Sequence, residues 1–301
     1  MSDGALEWMS DLVAGTWRLH DWGRTASEVA AWAGAALDLG IDTFDLADIY
    51  GGYTTERAFG AALRADPGLA KRTRIVTKCN IRVPAEAAPA NTAHVYDSSA
   101  AYVVASVERS LAELGVERVD LLLLHRQDPL CDPDEVADAF ARLAERGLVA
   151  EFGLSNAAPS YVAMLRARVP VPLVTNQVEA SLLRLDPFED GTFDQALELR
   201  MPPMAWSPLA GGRLVRELAA AGAPERQARV LSELERVAAE VEAPSEAVAL
   251  AFLMRHPSGV RPVVGTRDPV RLERQAEARD VALSREQWFD LWRASTGAPL
   301  P

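Results

Sequence analysis

The chain has 301 residues, 49% hydrophobic and 25% charged, enough to bury a large core in one large domain or two. Its net charge of −12 argues against a protein built to bind nucleic acid or anionic membrane, although a local arginine cluster can hold a small anion on an acidic protein. No apolar run approaches a membrane span, Met1-Ser2-Asp3-Gly4 lacks the features of a secretion signal, and Cys79 and Cys131 allow one bridge at most, so a reducing, cytoplasmic setting without a structural metal is expected.

The first strand is expected over residues 12–16, within Gly15-Thr16-Trp17-Arg18. Thr25 can cap a helix to Leu39, with Val29, Ala33, Ala36 and Leu37 near helical spacing and Gly40 as its stop. A short strand runs from Ile41 into Asp45, and Thr54-Thr55-Glu56-Arg57 opens a second helix that ends near Asp66-Pro67. Arg74 to Lys78 reads as a strand, followed by a long connection over residues 80–97 that is expected to shape a binding site. A helix from Ser98 or Ser99 ends at Gly115, and the apolar run 119–124 suits a parallel strand covered on both faces. Asp132-Pro133-Asp134-Glu135 starts a helix that ends near Gly147.

Further strands are expected over 149–154, 171–176, 203–206 and 260–264, with helices over 159–168, 190–199, 225–241 and 245–256. Pro269 opens another helix, and Ser284 caps the last one through Trp288 and Trp292. Eight strands alternating with helices, with no linker or composition break, favour one (β/α)8 barrel over residues 1–301. A doubly wound sheet is the rival, but the Gly-rich turn it would want after an early strand is missing.

Three successive strands end in groups that carry chemistry. Asp45 and Tyr50 stand just past the second, Lys78 ends the third and His125 follows the fourth. Singly, each has an ordinary structural explanation: an Asp capping a turn, a Lys in an internal ion pair, a satisfied core His. Together at the C-terminal ends of barrel strands they fall where catalytic groups gather.

These residues, with Ala47-Asp48-Ile49-Tyr50-Gly51-Gly52-Tyr53, Thr77-Lys78-Cys79, Leu124-His125-Arg126, Gly153-Leu154-Ser155-Asn156, Thr175-Asn176-Gln177-Val178-Glu179, Met204-Ala205-Trp206-Ser207 and Gly211-Gly212-Arg213-Leu214, give the chain a nearly end-to-end resemblance to the aldo-keto reductase superfamily. Within it, the chain resembles the bacterial YdhF-like oxidoreductases. The resemblance implies a (β/α)8 barrel and a catalytic set of Asp45, Tyr50, Lys78 and His125 that reduces aldehyde or ketone carbonyls with NADPH. In that reading Tyr50 is the general acid, its pKa lowered by Lys78, Asp45 holds Lys78, and His125 orients the carbonyl.

By the same carry-over Ser155, Asn156 and Gln177 hold the nicotinamide carboxamide, Trp206 stacks on the ring, and Ser207, Pro208, Leu209, Ala210, Gly211 and Arg213 wrap the pyrophosphate. Gly265, Thr266, Arg267, Arg271, Arg274 and Gln275 match the segment that grips the 2′-phosphate and adenine, with Gly15, Thr16, Trp17 and Asp45 completing the cofactor contacts. This segment departs from the best-known members, which have Lys where Gly265 stands and Glu-Asn where Arg274-Gln275 stand. That leaves room for NAD, and the three arginines also fall at helical spacing, as on a solvated face.

Trp17, Tyr50, Tyr53, His125, Arg126 and the connection 80–97, with His20 and Trp22, are candidates to face a small carbonyl substrate. A monomer is the default. The alternatives are a cofactor-sensing protein with negligible turnover and a Schiff-base chemistry on Lys78.

Overall fold

A computed structural model describes residues 6–215 and 222–300. The strands are β1 (Val13–Gly15), β2 (Thr43–Asp45), β3 (Arg74–Cys79), β4 (Ile81–Arg82), β5 (Val95–Tyr96), β6 (Val119–Leu124), β7 (Val149–Ser155), β8 (Leu173–Glu179), β9 (Met204–Trp206) and β10 (Arg261–Val264). Eight parallel strands close into a barrel in the order β1-β10-β9-β8-β7-β6-β3-β2, which excludes the doubly wound rival. The remaining pair, β4 and β5, is an antiparallel hairpin inside the connection expected to be a loop. The helices are α1 (Ala26–Asp38), α2 (Thr55–Ala65), α3 (Pro67–Ala70), α4 (Ala100–Leu114), α5 (Pro133–Glu145), α6 (Pro159–Arg166), α7 (Asp186–Glu189), α8 (Thr192–Leu199), α9 (Glu225–Val241), α10 (Ser245–Met254), α11 (Pro269–Ala276) and α12 (Arg285–Thr296).

The chain falls into two compact units, one running to Gln177 and the other from Val178. In the first, β2 pairs β3, β3 pairs β6, β6 pairs β7 and β7 pairs β8, all parallel. The register Lys78↔Leu123 and Cys79↔Leu124 brings the end of β3 level with the end of β6, and Ser155↔Gln177 does the same for β7 and β8. Parallel pairing therefore delivers the C-terminal residues of all these strands to one end.

β6 is buried at every position except the half-buried Asp120, whose carboxylate accepts the Ile75 N–H at 2.7 Å. α5 shows how the covering helices form. Asp132 caps it by accepting from the Asp134 N–H, Pro133 occupies the first turn, and Val136, Ala139, Phe140 and Leu143 repeat at helical spacing and are all buried. Burial of each large side chain is worth about 1.5–3 kcal/mol.

Thr25 and Ser284 both close capping boxes, at α1 and α12. α2 ends at Asp66 as expected, and Asp66 also caps the short α3; other boundaries differ from expectation. The strand expected over 171–176 is shifted to β8, so Gln177 lies within a strand. The helix expected from Asp190 begins at Thr192, because Gly191 holds the left-handed conformation that precedes it.

In the second unit β9 pairs β10 through Arg261↔Met204 and Pro262↔Ala205. α10 is buried on all faces from Glu246 to Leu253. α12 stacks Trp288 on Phe252 at 4.6 Å, and the Trp288 indole N–H donates to the Phe252 carbonyl. Both cysteines are unpaired, so the possible Cys79–Cys131 bridge is not formed. No helix among the described residues is long and apolar enough to cross a membrane.

Candidate active site

The first unit brings Asp45, Tyr50, Lys78 and Gln177 into one hydrogen-bonded group. Lys78 is fully buried, and its ammonium donates to Asp45 Oδ2 at 2.7 Å, the Leu46 carbonyl at 2.7 Å and Tyr50 Oη at 3.0 Å. An ammonium has three donors, so each is used. The other Asp45 oxygen, Oδ1, accepts from Gln177 Nε2 at 2.8 Å. Asp45 is fixed from its backbone as well: its carbonyl accepts the Thr16 N–H at 3.1 Å and the Thr16 hydroxyl at 2.8 Å, next to the register pair Gly15↔Asp45.

Burial works against the Lys78 charge, but Asp45 and Tyr50 together outweigh it and hold the lysine above its ordinary value. Tyr50 departs from expectation. Close packing around its hydroxyl raises the phenol above its ordinary value; Lys78 pulls it down as foreseen, but Asp45 opposes that pull and burial wins. Tyr50 is thus a phenol throughout the neutral range.

His125 is 7% exposed and lies edge-on to Tyr50, ring centroids 5.8 Å apart. Burial, reinforced by Lys78 and Arg126, drives it well below the ordinary histidine value, so the imidazole is neutral. Its Nδ1 is buried without a hydrogen-bond partner among the described residues.

The turn after Tyr50 depends on glycine. Gly51 has φ +57°, and a Cβ there would stand 2.7 Å from His20 Cβ and 2.8 Å from Thr55 Oγ1. Behind the turn Asp48 and Glu56 are buried carboxylates, both raised by burial. Asp48 pairs with Arg109 at 3.3 Å, and Glu56 accepts from Thr77 at 2.5 Å.

Ser155 ends β7 beside Gln177, and Asn156 follows it. The Ser155 hydroxyl donates to the Gln177 carbonyl at 3.0 Å, and Asn156 Nδ2 donates to Ser155 Oγ at 2.8 Å and the His125 carbonyl at 3.3 Å. Sequence reasoning did not find Asn80. Its amide donates to Ser98 Oγ and to the Arg126 carbonyl, and its Oδ1 accepts the Arg126 N–H, which fixes the backbone beside His125. The signal in the sequence is an asparagine just past the Lys78 strand, a residue type that tolerates the left-handed φ of +86° found there.

Among the substrate-side candidates, Trp17 is 61% exposed, with Arg18 over its ring at 5.2 Å. Arg126 is half-buried, and Trp22 packs edge-on against Trp32. Tyr53 is buried, and its hydroxyl is engaged by the β4–β5 hairpin.

In the second unit Trp206 ends β9 and is half-buried. Pro208, Leu209 and Ala210 are buried, whereas Gly211 and Arg213 are exposed. Ser207, Ala210, Gly211 and Gly212 all have left-handed φ, and the Ala210 and Gly212 N–H groups donate within the turn, to the Ser207 and Leu209 carbonyls. Arg213 Nε donates to the Ala210 carbonyl at 3.0 Å. Gly265 and Arg267 are exposed, Thr266 is buried, and the Asp268 N–H donates to its hydroxyl. Arg271 is half-exposed and Gln275 buried, with its Oε1 unpartnered among the described residues. Arg274 pairs with the buried Glu246 at 3.0 Å.

A model of the aldo/keto reductase family matches residues 11–294. The chain is 42% identical to the oxidoreductase YdhF of Escherichia coli, covering 97% of this chain and 95% of that protein. It is 41% identical to a 6-dehydroglucose reductase of Agrobacterium fabrum, with 96% and 95% coverage. A solved glycerol dehydrogenase of Gluconobacter oxydans shares the fold with a TM-score of 0.83 at 24% identity, covering 97% of this chain and 94% of that one. Proteins of this family generally use nicotinamide cofactors and act on small carbonyl compounds.

Proposed function

The chain belongs to the aldo/keto reductase family, an oxidoreductase family, and from that premise we propose that it reduces aldehyde or ketone carbonyls with NADPH, as a monomeric catalytic domain in the cytoplasm. The observation that carries the proposal is the buried Lys78 ammonium, bonded at once to Asp45 and to the Tyr50 hydroxyl. An ion pair serving the fold alone would have no use for a phenol at 3.0 Å whose ring stays partly open.

The residues fit the cofactor. The amides and hydroxyl of Ser155, Asn156 and Gln177 match a carboxamide in donor and acceptor type, and the left-handed φ at Ser207 and at Ala210, Gly211 and Gly212 would let the backbone turn closely about a pyrophosphate. Bound NADPH would supply the hydride. Trp206 offers a ring to stack on, and Arg267 and Arg271 would carry the preference for a 2′-phosphate, since Arg274 is engaged with Glu246.

At the carbonyl, Tyr50 gives its proton to the oxygen as negative charge builds there, and Lys78 stabilises the phenolate left behind. Neutral His125 donates a hydrogen bond to the same oxygen. Asp45, held by Gln177 and Thr16, keeps Lys78 charged and aimed. A Schiff-base role for Lys78 is disfavoured, because its charge is reinforced by Asp45 and an amine nucleophile must be neutral.

The test follows NADPH absorbance with pure protein and a panel holding a reactive aromatic aldehyde and a sugar aldehyde, the second suggested by the 6-dehydroglucose reductase relative. Consumption that requires both Tyr50 and the carbonyl supports the reductase. Quenching of Trp fluorescence by NADPH with no consumption favours the cofactor-sensing alternative.

A further inference from the structure

Beyond Tyr50 the chain turns through Gly51 and Gly52 to Tyr53, all three with left-handed φ. Tyr53 is 8% exposed, and its hydroxyl lies against the β4–β5 hairpin. It accepts the Val83 N–H at 3.1 Å and Asn91 Nδ2 at 3.0 Å, and it donates to the Ile81 carbonyl at 3.4 Å. A phenol has one donor and limited acceptor capacity, so this hydroxyl is fully engaged. Ile81 and Val83 lie on the outgoing arm and Asn91 on the return, so a single atom joins both.

The hairpin has little else of its own. Its strands are two residues long, Val95 and Tyr96 are 43% and 38% exposed, and an isolated ribbon of this size is marginal in water. At its base Arg82 pairs with Asp97 at 3.1 Å, the Asp97 N–H donates to the Asn80 carbonyl at 2.9 Å and the Tyr102 hydroxyl donates to the Ile81 carbonyl at 3.2 Å, while between the arms Arg82 Nε donates to Asn91 Oδ1 at 3.4 Å. That base follows Cys79, the last residue of β3, in the chain. Farther out, Ala85 Cβ lies 3.7 Å from where a Cβ on Gly52 would stand, so the outer arm rests on the turn that carries Tyr50.

We infer that Tyr53 is a positioning residue whose hydroxyl latches the β4–β5 hairpin onto the Tyr50 turn, so that residues 83–91 wall the site and select carbonyl substrates by size. The selection rests on the reductase reading; the latch does not. Tyr53→Phe removes the hydroxyl and keeps the ring under the Arg109 guanidinium, which lies 5.8 Å from its centroid.

The experiment measures amide hydrogen exchange over residues 81–91, together with kcat and KM for acetaldehyde and for a bulky aromatic aldehyde. Tyr53→Phe should speed exchange at Val83 by about tenfold, the scale of losing one or two net hydrogen bonds. It should raise KM several-fold for the bulky aldehyde only, with kcat within about twofold and quenching of Trp fluorescence by NADPH unchanged. Asn91→Ala should reproduce the pattern in weaker form. Unchanged exchange would overturn the latch. Equal changes in KM for both aldehydes, or faster exchange with no change in KM, would overturn the selection. If the wild type reduces no carbonyl, the reductase reading fails, and exchange alone decides the latch.

Discussion

Lys78 and Arg274 are both cations paired with a buried carboxylate, in circumstances that differ at every point. The Lys78–Asp45 pair is 0% and 4% exposed at its side chains, the ammonium has three acceptors, and Asp45 is tied by Gln177 and Thr16. The Arg274 side chain is 38% exposed, and its partner Glu246 keeps one oxygen, Oε1, unpartnered among the described residues. The first arrangement is finished before any ligand arrives, as catalysis by prearranged charge requires. The second lies in a segment whose neighbours Gly265 and Arg267 are exposed, where binding can still rearrange side chains. In the proposed reading, chemistry belongs to the ends of β2, β3, β6 and β8, and affinity to backbone turns and surface arginines.

Lys78→Met should break this contrast most severely. It leaves the Asp45 carboxylate buried and unpaired, which costs about 3–5 kcal/mol, and it removes the group that stabilises the phenolate. Urea unfolding and NADPH consumption should both register the loss. A destabilisation no larger than that of Arg274→Ala would erase the distinction. Next in size, Arg267→Ala and Arg271→Ala should each weaken NADPH binding by about 10- to 100-fold in fluorescence titration, with NADH little changed, on the scale of a hydrogen bond to a charged group. An equal loss for both cofactors would show that these arginines do not read the 2′-phosphate.

Arg274→Ala also leaves a buried carboxylate, but Arg274 itself is 38% exposed and Glu246 lies in the first turn of α10, where the helix dipole favours its charge, so in urea unfolding it should cost less than Lys78→Met.

The smallest expected effect is that of pH. Reduction needs Tyr50 protonated, and a raised phenol keeps its proton up to and beyond about pH 10; His125, held well below its ordinary value, stays neutral down past about pH 6.5. The profile of kcat/KM should therefore be flat from about pH 7 to about pH 9 and fall only in stronger alkali. A break near pH 6.5 would mean that His125 titrates in the ordinary range.

Much of this was legible because it is local. An apolar run that stops at Lys78 or His125 announces a strand end, and parallel alternation places those ends together. What was not legible depends on partners far apart in the chain. Gln177 was read as a carboxamide ligand, yet its amide nitrogen donates to Asp45, 132 residues away. Asn80 bonds to Ser98 and to Arg126, 46 residues on, and Tyr53 meets a hairpin hidden in an Ala- and Pro-rich connection without strand periodicity. The direction of the Tyr50 shift was missed because Lys78 is visible in sequence as a charge, while the burial that outweighs it exists only once the strands close.

The most direct measurement is single-turnover oxidation of NADPH by wild type and Tyr50→Phe side by side, with cofactor binding followed by Trp fluorescence. If Tyr50 is the acid that Lys78 and Asp45 hold in place, the variant should bind NADPH as the wild type does and oxidise it about 10² to 10⁴ times more slowly. Equal rates with equal binding would contradict that role.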